Sequence, residues 1–126
     1  MSRIISAATA LLITIILTIT GFIYNTKTAN MVSDGIYEAM KFSESNKVNE
    51  AGKKMKDVRK MWDERNKIML VFTAHDKLDN IDESINIAEA YLENDELKMF
   101  HAECHRTLTL LDHFREIEYP SVNNIF

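Results

Sequence analysis

The sequence predicts an all-α protein: an N-terminal transmembrane helix that continues into an antiparallel bundle of about four helices. Three observations carry this. Residues 4–24 read IISAATALLITIILTITGFIY, without one charge. Beyond residue 26 the chain turns polar, and its apolar residues recur at helical spacing. Only 3 Gly and 1 Pro interrupt a chain of 126 residues that is rich in Glu, Lys and Met, a composition that favours helix. The expected division is a transmembrane signal anchor over residues 1–26 and a helical bundle domain over residues 27–126.

The first element is long enough, at 1.5 Å per residue, to cross a hydrocarbon core of about 30 Å. Its Ser and Thr hydroxyls can return to backbone carbonyls one turn earlier, so they do not oppose insertion. The apolar run is longer than a signal-peptide core, and no small-x-small cleavage site follows it. An uncleaved anchor is therefore expected. Arg3 lies before the run and Lys27 and Lys41 after it, so the positive-inside rule decides little. The short N-terminus favours a cytoplasmic start and an extracytoplasmic domain.

Nothing between Asn25 and Asn30 stops the helix. Val32, Ile36 and Met40, with Ala39 beside them, mark its inner face to about Ser43. Gly35 reads as a weak point, about 1 kcal/mol worse than Ala. Glu44, Ser45 and Asn46 form a turn, with Asn46 expected to cap helix two. Val48, Ala51, Met55, Val58 and Trp62 form the second seam, opposite a charged face of Lys53, Lys54, Lys56, Asp57, Lys60 and Asp63. Met69 to Phe72 make a denser apolar end. Thr73 or Asp76 is expected to cap helix three, whose seam is Leu78, Ile81, Ile85, Ala88 and Leu92, widened by Ile87 and Tyr91. Its early carboxylates suit the positive end of the helix dipole. Asn94 and Asp95 turn the chain into helix four, marked by Leu97, Phe100, Cys104, Leu108 and Leu111 and ending near Glu116. Pro120 disfavours helix at Tyr119, and Ser121 is expected to cap a last turn. Short connections make successive helices antiparallel.

Net charge is −4, which argues against nucleic acid as a partner, since phosphate binding needs a basic face. The single Cys104 cannot form an internal disulfide, so the bundle must stand without staples. Its place on the fourth seam makes it a core thiol.

His101 and His105 sit at i, i+4 in the run HAECH, a spacing that suits two metal ligands, but no third ligand is evident and neither HExxH nor a haem motif is present. No metal or cofactor is expected. Folding helices three and four about Asn94 and Asp95 sets His113 opposite Asp76, with His75 and Asp79 near. That polar cluster reads first as a structural clasp, then as a proton switch or half a metal site. Trp62, Leu78, Ile81, Ile85 and Leu92 are expected core. Met31, Met40, Met55, Met61, Met69 and Met99 could form an adaptable surface, though several lie on seams. No Ser/His/Asp set, phosphate loop or carboxylate pair emerges, so no catalysis is expected.

The anchor, Trp62, the segment from His75 through Asp76, Lys77, Leu78, Asp79 and Asn80 to Ile81, the step Leu111, Asp112, His113 and the ending Ser121, Val122, Asn123, Asn124, Ile125, Phe126 resemble a family of small single-anchor helical membrane proteins. That family is of unknown function and comes from endospore-forming Gram-positive bacteria. The resemblance covers nearly the whole chain. It implies a helical extracytoplasmic domain and supports the cytoplasmic N-terminus. His75, Asp79 and His113 fall on matching positions, whereas HAECH does not belong to the pattern. The function expected is a membrane-anchored interaction or scaffold module of the cell envelope, held by the bilayer through residues 4–24 and engaging a second membrane or envelope protein. The alternative is an extracytoplasmic sensing or ligand-binding domain using the His/Asp cluster.

Overall fold

A computed structural model describes residues 1–118. Among these residues there are four helices and no strand: α1, Ser2–Glu44; α2, Val48–Met69; α3, His75–Glu93; and α4, Leu97–Glu118. The last turn expected around Ser121 lies outside the described residues. The helices form a ring in which α1 packs on α2 and α4, and α3 packs on α2 and α4. The α2–α3 side is the least closely packed.

α1 contributes to the bundle only through its second half. Every residue up to Thr20 is exposed, and burial begins at Gly21, ahead of the domain boundary placed after residue 26. From there one face carries Gly21, Asn25, Thr28, Ala29, Val32, Gly35, Ile36, Ala39, Met40 and Ser43. These side chains are mostly small, so α2 can come close. Gly35 is a packing position and not merely a weak point: a Cβ there would stand 2.5 Å from Val58 Cγ2. The seams read on α2, α3 and α4 face inward. Trp62, Leu78, Ile81 and Ile85 are buried to within 1% of fully, and Leu92 nearly so. Phe100, Cys104, Leu111 and Phe114 complete the core from α4. Each such large apolar side chain stabilises the fold by about 1.5–3 kcal/mol.

The turns at the far end share one construction. Asn46 and Asp95 have φ of 59° and 57°, each in the left-handed region just past a helix end. The Lys47 amide donates to the Phe42 carbonyl, and the Glu96 amide to that of Tyr91. Both are Schellman closures, in which the left-handed residue is usually Gly and sometimes Asn. Asn46 thus ends α1 and does not cap α2, whose N-cap is Lys47 without a side-chain bond. At the opposite end, α2 stops at Met69, and Ala74 leads α3 in an extended conformation without a side-chain cap. Neither Thr73 nor Asp76 takes the capping role. Thr73 has another partner.

Candidate functional site

The junction where the exposed half of α1 meets the bundle concentrates buried polar groups. Asn25 is fully buried, and its Nδ2 donates to Thr73 Oγ1 at 2.8 Å, tying the α2–α3 loop to α1. Arg65 on α2 donates from Nε to Thr28 Oγ1 at 2.7 Å, and its guanidinium carbon stands 4.4 Å from the Tyr24 ring centroid. The Thr28 hydroxyl in turn donates to the Tyr24 carbonyl at 2.8 Å. One turn toward the N-terminus, Gly21 lies against the Phe72 ring; a Cβ at Gly21 would stand 2.5 Å from Phe72 Cδ1. Asn25 Oδ1, Thr26 Oγ1, Asn66 Oδ1 and Trp62 Nε1, all on this stretch of the α1–α2 hairpin, are buried without a protein partner among the described residues. Such atoms usually find one, so this end of the bundle holds unused hydrogen-bonding capacity.

Further polar clusters join helices elsewhere. Arg59 on α2 reaches across to α3, donating to Asp82 Oδ1 at 3.0 Å, Glu89 Oε2 at 3.4 Å and Asn86 Oδ1. Burial pushes the Glu89 carboxyl up despite the opposing pull of Arg59. Above this hub α2 and α3 part around a cleft of about 500 Å³. Lys53 and Lys56 line one wall and Glu89 and Glu93 the other, over Met55 and Leu92. Between α3 and α4, buried Ser84 donates to Glu103 Oε1 at 2.9 Å and lies 2.5 Å from Thr107 Oγ1. Arg115 on α4 donates to Asn30 Oδ1 and Ser33 Oγ on α1. On the outer face of the α1–α2 hairpin, the hydrogen bond and charge of Lys54 hold Glu38 below the usual carboxylate range.

The sequence-derived polar cluster is placed differently from these. His75, Asp76, Asp79 and His113 are all exposed, and no hydrogen bond or ion pair joins them. Asp79 lies on the edge of α3 that also carries Asp82 and Asn86, which look toward α2. His113 is on α4, which meets α3 on the Ser84 side. Among the described residues no group of three or more His, Cys, Asp or Glu side chains is placed to hold a metal ion. His101 instead pins α4 to the end of α1: Nε2 lies 3.1 Å from Ser43 Oγ and Nδ1 3.9 Å from Glu44 Oε1. His105 is exposed. Cys104 is buried, and burial, helped by Glu103, pushes its thiol up to about 12. A thiol so protonated at neutral pH is a poor nucleophile.

Residues 20–125 match the family described as "Domain of unknown function (DUF4363)". The chain belongs to that family. The match opens at Thr20, beside the first buried position of α1, so the DUF4363 domain takes in the bundled half of that helix and leaves most of the exposed half outside it. No curated protein and no solved structure matches the chain.

The junction residues were missed in the sequence, although a signal was present. Gly21, Asn25, Thr28, Val32 and Gly35 follow one another at spacings of 4, 3, 4 and 3. Gly21 was read as part of an apolar run, which hid the start of that seam.

Proposed function

We propose that this DUF4363 chain is a single-pass membrane protein whose bundle serves as an interaction module at the membrane surface, without catalytic activity of its own. One observation carries the reading. The helix that is long and apolar enough to cross a membrane, 43 residues from Ser2 to Glu44, runs unbroken into the bundle core. Anchor and core are one rod, so the domain is held at a set height and orientation.

The exposed half has the surface expected of a lipid-facing helix. Leu11, Leu12, Ile13, Ile15, Ile16, Leu17 and Ile19 are all about half exposed or more. The hydroxyls of Ser6, Thr9, Thr14 and Thr18 donate to carbonyls four residues earlier, at 2.8–2.9 Å, so these four are not desolvated alone. The polar side chains buried in the bundle join helix to helix. The cleft between α2 and α3, with Lys53 and Lys56 on one wall and Glu89 and Glu93 on the other, would fit a partner segment of mixed charge. The N-terminus is cytoplasmic and the bundle extracytoplasmic in this reading. A sensing role for His75, Asp76, Asp79 and His113 has no joined side chains behind it.

The test is photo-crosslinking in native membranes, with the photoreactive group at Lys53 or Glu93 and, for comparison, at the outward-facing Thr109. A discrete adduct to an envelope protein from the cleft positions alone supports the module. Identical background from all three contradicts it. An enzymatic reporter fused after Phe126 reads the orientation, being active only outside the cytoplasm.

A further inference from the structure

The apolar run of α1 and the α2–α3 loop are fixed to each other in depth. Phe72 packs on Gly21, where only a glycine allows the ring so close. Asn25 holds Thr73 one turn further on. Gly21 lies inside the uncharged run, about 4.5 Å short of its end at Tyr24. A bilayer whose hydrocarbon accommodates residues 4–24 therefore has the loop at the boundary between acyl chains and headgroups.

The loop is built for that layer. Val71 is 77% exposed and Ile68 48%, and Ile23 on α1 is 57% exposed. Their neighbour Tyr24 carries the Arg65 guanidinium over its ring, an arrangement of amphipathic ring and cation suited to headgroup level. The loop amides are also occupied: Leu70 donates to Asn66, Val71 to Ile68, and Phe72 and Thr73 to Met69. A dehydrated layer penalises free backbone donors, and residues 70–73 offer none.

We propose that the α2–α3 loop is a second membrane contact, with Ile68, Val71 and Phe72 seated in the interfacial layer of the lipid bilayer, so that the bundle rests on the membrane and does not swing above it on α1. The inference depends on the reading of residues 4–24 as a membrane span, and its test separates the two.

The full chain is reconstituted in vesicles of phosphatidylcholine and phosphatidylglycerol, with an environment-sensitive fluorophore on one introduced cysteine at a time: Leu12→Cys, Ile68→Cys, Val71→Cys or Glu50→Cys. Native Cys104, buried with its thiol near 12, stays unlabelled. Lipids carry a nitroxide either shallow or deep on the acyl chain. The expected result is blue-shifted emission at positions 68 and 71, quenched more by the shallow nitroxide. Position 12 is quenched more by the deep one, and position 50, at the far end, by neither. Water-like, unquenched emission at both 68 and 71 while position 12 is deeply quenched overturns the loop contact and leaves the span standing. Unquenched emission at position 12 overturns both.

Discussion

The two halves of α1 share one backbone and obey opposite rules. Residues 2–20 carry long apolar side chains around the whole circumference, every one of them exposed. Residues 21–44 carry small residues on a single face, and those are buried while charged Lys27, Asp34, Glu38 and Lys41 stay outside. In the first half hydrophobicity comes without an opposing helix; in the second, close packing comes with modest hydrophobicity. What makes a core is thus the complementarity of a facing helix, and large apolar side chains without one mark a surface for lipid or protein.

The comparison can be broken by substitution. The largest effect is expected at Ile36, 1% exposed at the centre of the bundled half. Ile36→Ala should lower unfolding stability by about 2–5 kcal/mol, followed by circular dichroism during urea titration in detergent. Leu12→Ala, in the exposed half, should leave the same curve in place. Equal effects would mean that the halves are not distinct.

Next is a charge in the exposed half. Leu12→Arg should cost about 2.5–3.5 kcal/mol of membrane insertion, seen as protein lost from the membrane fraction. The bundle's unfolding midpoint should not move. A shifted midpoint would place Leu12 in a protein core.

Two glycines sharpen the account within the bundle. Gly35→Ala brings a Cβ against Val58, so overpacking of about 1–3 kcal/mol should outweigh a helix-propensity gain of up to about 1 kcal/mol. The unfolding midpoint falls. Gly52 meets nothing within 4 Å, and Gly52→Ala should raise stability by about 0.5–1 kcal/mol. The two midpoints moving the same way would remove the claim that Gly35 serves close approach.

Much of the bundle was legible because period 3.6 is imposed by burial itself: the seams of α2, α3 and α4 were read residue by residue. The turns were legible in place but not in role, since Asn46 suits an N-cap and a left-handed closure equally well, and only the backbone decides. The His/Asp cluster shows a deeper limit. Ser84 reaches both Glu103 and Thr107, which bracket the position equidistant with Ser84 from the α3–α4 turn. These contacts fit the hairpin register at Ser84. What register cannot supply is the direction in which each side chain leaves its helix, and Asp79 shares the edge of α3 whose Asp82 and Asn86 reach Arg59 on α2. The junction was hidden for a different reason: Gly21 and Asn25 lie at the edge of an apolar run, where membrane and bundle patterns overlap.

The central claim is that the exposed half of α1 holds an intact chain in the membrane. Alkaline carbonate extraction of membranes, with N-terminal sequencing of both fractions, tests it most directly. Protein is expected in the extracted pellet, with its sequence beginning ahead of residue 4. A soluble protein beginning after residue 20, or the whole chain released by carbonate, would contradict it.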